Sequence, residues 1–149
     1  MTIIPAMDLP SGRLLALDLG QARIGVAICD ELGLLASPLT VLRRRRTRAE
    51  DFAAIAALVQ RERAVGVLVG MPLDSAGEAG AQARWTQRYA GRLAATLPVP
   101  LAFWDESHTT DDADALMRES SGRTALDAAA AAVLLRDFLE ARRRLLEGM

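Results

Sequence analysis

Apolar and polar residues follow two rhythms along this chain, and the change of rhythm organises it. Arg13 to Leu19 is a short apolar run ending at Gly20, which predicts a buried strand. Gly20-Gln21-Ala22 reads as a turn, and Arg23 to Cys29 as a second strand closed by Asp30-Glu31-Leu32-Gly33. Leu34 to Leu42 predicts a third strand, in which Pro38 marks an edge position or a bulge. From Thr47 the period becomes helical. Thr47-Arg48-Ala49-Glu50 is a capping box, and Phe52, Ile55, Ala56 and Val59 follow at helical spacing. Ala64 to Val69 is too short for a helix and predicts a buried strand. Ser75-Ala76-Gly77-Glu78 is a second capping box, opening a helix that runs to Leu97. Leu101 to Asp105 predicts a fifth strand, Thr109 to about Arg118 a short helix, Glu119 to Arg123 a loop, and Thr124 to Leu146 a long Ala-rich helix.

This order predicts an α/β domain. Its five-stranded mixed sheet begins as an antiparallel meander of three strands, continues α-β-α-β, and carries helices on both faces. Neither repeat nor linker is visible, so residues 1–149 are expected to form one domain, with 1–12 a flexible lead-in.

Composition narrows the chemistry. Of 149 residues, 51% are apolar but only 4% aromatic, so the core must be Leu, Val, Ile and Ala. The net charge of −1 removes any whole-surface basic field, and nucleic acid would have to be held by a local patch. The chain has no lysine, which excludes a phosphate-loop lysine and Schiff-base chemistry. With one cysteine, Cys29, and one histidine, His108, an internal disulfide and a Cys/His zinc site are excluded by counting. No secretory signal or membrane-length apolar run is present, so a cytoplasmic protein with no membrane partner is expected.

What remains is carboxylate chemistry. Asp18 lies inside the apolar run of the first strand, and Asp105 and Glu106 end the fifth. Asp127 opens the last helix on the side shared by Ala130, Ala131, Leu134 and Phe138, which turns it towards the core. Each acid has a plain structural explanation: an acid at a helix start suits the dipole, and an acid ending a strand is commonly a turn residue. Their combination is sharper, because three such positions can converge on one edge of a sheet. A buried carboxylate needs a cation, and a metal ion is the economical answer.

The cations are arginines. Arg43-Arg44-Arg45-Arg46 with Arg48 is the obvious phosphate-binding patch, and Arg23 beside the first turn is a second candidate. A solvated loop that protects a sheet edge is the competing explanation. His108 and Thr109, next to the acid edge, are further candidates for touching nucleic acid. Arg142-Arg143-Arg144 suits a helix C-terminus. Trp85 and Tyr89, four apart, are expected to pack between helices, and Ala128 to Ala132 to let a helix approach the sheet closely.

Four segments resemble one family: LALDLGQARIGVAI (Leu15 to Ile28), VGMPLDSAG (Val69 to Gly77), WDESHTT (Trp104 to Thr110) and ALDAAAAAVLL (Ala125 to Leu135). In this order and spacing they resemble the YqgF family of RNase H-like nucleases, relatives of the Holliday-junction resolvases, over about Leu14 to Leu139. The resemblance implies an RNase H-like fold, with Asp18, Glu106 and Asp127 as catalytic acids and metal ligands. It implies nuclease processing of the 5′ end of the small-subunit (16S) ribosomal RNA precursor, with Mg²⁺ or Mn²⁺ as cofactor. In such a site two divalent ions roughly 3.5–4 Å apart activate water and steady the leaving group, with Asp18 touching both. Three positions depart from the family pattern: Ser107 stands where it usually has Arg, Ala22 where a basic residue is common, and Ala76 where it has Asp. They leave the acids intact and bear on how substrate is gripped.

Structured RNA is the favoured partner and branched DNA the alternative, with monomer and homodimer both open. A junction resolvase acting on DNA and a non-catalytic nucleic-acid binder stand as rival functions. The actin-like and sugar-kinase ATP folds share this strand order, but need a second similar domain that 149 residues do not supply.

Overall fold

The computed structural model describes residues 3–73, 80–106 and 123–148. Strands β1 (Leu14–Leu19), β2 (Arg23–Cys29) and β3 (Ala36–Arg43) form the expected meander. They are followed by α1 (Arg48–Arg61), β4 (Gly66–Pro72), α2 (Ala81–Thr96), β5 (Leu101–Glu106) and α3 (Arg123–Glu147). The sheet order is β3-β2-β1-β4-β5, with β1–β2 and β2–β3 antiparallel and β1–β4 and β4–β5 parallel. The C-terminal ends of β1, β4 and β5 therefore share one edge of the sheet, where sites form in open α/β folds.

Side-chain parity sorts the central strands into two cores. Leu15, Leu17 and Leu19 of β1, with Ile24, Val26, Val67 and Val69, pack beneath α1 and α2. Leu14 and Ala16, with Ala27, Cys29, Leu68 and Ala102, pack beneath α3. Because β1 is buried on both faces, its sequence reads as a continuous apolar run rather than an alternation. Each fully buried Leu here contributes about 1.5–3 kcal/mol. Ala131 and Ala132 belong to the second core and keep α3 close to the sheet. Pro38 sits on the edge strand β3 opposite Ala27, where the register shifts, so the proline is both at an edge and at a bulge.

The first capping box forms: the Thr47 hydroxyl accepts from the Glu50 backbone N–H at 3.2 Å. The second, at residues 75–78, lies outside the described residues, as does the short helix expected after Thr109. The expectation of a flexible lead-in is corrected for residues 3–9. Ile3 bridges to Leu101, Ile4 N–H donates to the Leu101 carbonyl, Ala6–Asp8 forms a 3-10 turn, and Leu9 is buried in the α3-side core. An apolar side chain and a free strand edge were available to hold this segment. Among the described residues no helix is long and apolar enough to cross a membrane.

Candidate active site

Asp18 is the last but one residue of β1, and its parity places it with Leu14 and Ala16 on the α3 face. Glu106 ends β5 on the same face, in phase with Ala102 and Trp104. Between them runs β4, where Val69 pairs with Leu17, Gly70 with Trp104 and Pro72 with Glu106. A Cβ at Gly70 would stand 3.3 Å from the Glu106 carboxyl carbon and 3.1 Å from Leu134 Cδ2. The glycine is thus the gap through which Glu106 reaches across the strand, and the two acids hydrogen-bond to each other.

This contact has an electrostatic consequence. The Glu106 carboxyl is pushed up from its ordinary 4.5 to about 8. Burial is the largest cause, followed by the negative charge of Asp18 and the hydrogen bond between them. Two carboxyls in contact cannot both ionise freely, so the pair holds one proton near neutral pH.

Asp127 arrives from above. Gly25 on β2 is the register partner of Asp18, and a Cβ there would lie 2.0 Å from the Asp127 backbone carbonyl. Only a glycine lets α3 sit this low, and the seat places Asp127 over the strand beside Asp18. Its side chain is half-buried rather than turned fully inward, and Arg23 Nη1 lies 4.0 Å from its Oδ2. The start of β2 therefore supplies Asp127 with a cation from within the chain. Asp18 and Glu106 are in contact, and Asp127 is on their face. Among the described residues no three such side chains are drawn together as a metal-binding group. His108 and Thr109 lie outside the described residues.

The arginine run splits at the end of β3. Arg43, Arg45 and Arg46 are exposed. Arg44 is turned inward, a correction to its place in a surface patch. Its Nε donates to Asp51 at 2.6 Å and Nη1 to the Gly20 carbonyl at 3.2 Å, and its guanidinium stacks over Tyr89 and Trp85. Asp51 is 2% exposed and also accepts from Arg45 N–H at 2.7 Å and Tyr89 O–H at 3.1 Å. Sequence reading missed Asp51. Its signal was the spacing to Ile55 and Leu58, which puts it on the buried stripe of α1. Trp85 and Tyr89 stack at 5.3 Å, and Tyr89 meets Phe52 edge-on at 5.1 Å, as packing between helices requires.

Residues 12–141 match the family described as RuvX, Holliday junction resolvase. A relative from Synechococcus sp. (strain CC9605), named "Putative pre-16S rRNA nuclease", is 46% identical over 129 residues, covering 85% of this chain and 80% of its own. Relatives bearing the same name from Syntrophus aciditrophicus (strain SB) and Anaeromyxobacter sp. (strain Fw109-5) are 40% and 41% identical. They are covered over 89% and 98% of their lengths, and each match spans 87% of this chain. Among solved structures, T. thermophilus RuvC in complex with Holliday junction substrate superposes with a TM-score of 0.59 at 17% identity, covering 89% of this chain and 96% of that one. The fold is thus the RNase H-like fold expected from the sequence.

Proposed function

Because the chain belongs to the RuvX Holliday junction resolvase family, we propose that it is a divalent-metal-dependent nuclease that trims the 5′ end of pre-16S ribosomal RNA in the cytoplasm. Asp18, Glu106 and Asp127 are its catalytic acids and metal ligands in this reading. The substrate follows the names of its relatives. The observation that carries the reading is the contact of Asp18 with Glu106 across Gly70.

The donor set suits Mg²⁺ or Mn²⁺. Carboxylate oxygens are the ligands hard cations prefer, and a cation held by Asp18 and Glu106 would offset the burial and the like charge that together raise Glu106. When bound, such an ion supplies a Lewis acid that activates water and offsets charge on the attacked phosphate. The protein's own part is placement. Asp18 is fixed by a strand buried on both faces, and Glu106 by the last residue pair of the β4–β5 ladder. Asp127 is fixed by a helix seated on Gly25. Near neutral pH and without a cation, the raised Glu106 carboxyl keeps its proton.

A second reading, resolution of DNA four-way junctions, is favoured by the family's description and by the RuvC-like fold. One experiment addresses both. Labelled precursor RNA and a four-way DNA junction are incubated with wild type or Asp18→Asn in Mg²⁺, Mn²⁺ or EDTA. We expect cleavage that requires the ion and falls by about a hundredfold or more in the variant, with RNA preferred. Full activity of Asp18→Asn would sink the site assignment, and preference for the junction would select the second reading.

A further inference from the structure

The β2–β3 ladder sets Arg23 directly opposite Arg43. Opposed residues of an antiparallel pair project from the same face with Cβ atoms about 5 Å apart, and like charges there are destabilising. The face is that of the acids. Gly25, two residues on from Arg23, bears Asp127, whereas Ile24 and its partner Leu42 point into the core under α1 and α2. The same pleat sends the next residue, Arg44, to the opposite face and onto Asp51. Arg43 is exposed and makes no ion pair among the described residues. Among the described residues Arg23 has one carboxylate near it, Asp127 at 4.0 Å. The carboxylate beside Arg23 is also a candidate metal ligand, and among the described residues Arg43 has none.

We propose that Arg23 and Arg43 form a two-arginine clamp on a single backbone phosphate of the substrate strand, adjacent to the phosphate being cut. The proposal rests on the nuclease reading for its substrate. Planar guanidinium forks on neighbouring strands suit a phosphate, which accepts bidentate pairs from two directions. Gly25 is level with Asp18, so Arg23 stands about 7 Å further along β2. At that distance the clamp holds a neighbour of the attacked phosphate and leads the strand out over the β2–β3 edge. The sheet edge then runs from two cations on β3 and β2 to the acids on β1 and β5. Arg44, though adjacent in sequence, is outside the clamp.

The test is binding of the labelled four-way junction and precursor RNA in EDTA, by fluorescence anisotropy across a salt series. Wild type, Arg23→Ala, Arg43→Ala, the double variant and Arg92→Ala, an exposed arginine of α2, are compared. Each single clamp variant should weaken junction binding about tenfold. The double should lower the slope of log affinity against log salt by about 0.9, the amount of one phosphate contact. Arg92→Ala should change neither. Arg43→Ala should melt no lower than wild type, since it removes a like-charge pair. An unchanged slope in the double variant, a loss near twice 0.9, or an equal loss in Arg92→Ala would overturn the clamp. Wild-type cleavage in Mg²⁺ is assayed alongside. Cleavage with unchanged slopes overturns the clamp alone, whereas the predicted slope loss without any cleavage supports the clamp and overturns the nuclease reading.

Discussion

Carboxylates are taken out of water on both faces of this sheet, but on opposite terms. On the α1–α2 face, Asp51 meets a guanidinium, a backbone N–H and a phenol O–H, so its charge is answered from within the chain. On the α3 face, Glu106 meets another acid, Asp18, and burial together with that charge raises the proton affinity of Glu106. The first arrangement is complete and has nothing left to offer a ligand. The second opposes like charges, a cost to the folded state that an external cation would remove. Burial of an acid is therefore no sign of function by itself; the chemistry of its neighbours separates a structural acid from a functional one.

Breaking the complete side should have the largest effect. Asp51→Ala leaves Arg44 without its partner and should cost about 3–5 kcal/mol, read as a lower midpoint in urea denaturation. A loss below about 1 kcal/mol would mean that the network contributes no more than a surface pair. Gly25→Ala tests the other face through its backbone. The added Cβ must displace the Asp127 carbonyl, so destabilisation of about 1–3 kcal/mol is expected. Cleavage should fall with it, and wild-type activity would show that the seat does not position Asp127.

The contrast sharpens with pH. Glu106 binds its proton more tightly folded than unfolded, so between pH 4.5 and about 8 the unfolded chain has released a proton that the native state keeps. The contribution of Glu106 to stability in EDTA should be full below pH 4.5 and decline as pH rises to about 8. Allowing for solvent screening, the decline is on the order of 1–2 kcal/mol. Glu106→Gln should flatten that slope in thermal melts taken across the window, and an identical slope in the variant would refute the shared proton. The smallest effect should be Tyr89→Phe, which removes one donor from Asp51 and should cost about 1 kcal/mol. Its cleavage of RNA should match wild type, because that hydroxyl serves the other face.

Much of this architecture was legible in the chain. Apolar runs marked all five strands, the Thr47 capping box marked the start of α1, and Pro38 marked the edge of the sheet. The acids stood out because Asp18 interrupts an apolar run and Asp127 shares a helix face with Leu134 and Phe138. The run Arg43 to Arg46 was less legible. Four identical residues look like one patch until the pleat assigns Arg43 to the acid face and Arg44 to the core. Asp51 was hidden for a related reason, since an acid in the first turn of a helix is already explained by the dipole.

By itself, then, the sequence determined the order of elements, the two buried faces of β1 and the residue types available for chemistry, because periodicity and counting are local properties. Only the tertiary structure decided which charges meet. Glu106 reaches Asp18 because a glycine on the strand between them leaves room, and Asp127 lies over β2 because another glycine lets its helix descend. Proton sharing and charge pairing depend on separations of a few ångströms between residues far apart in the chain, and register and packing alone set those separations.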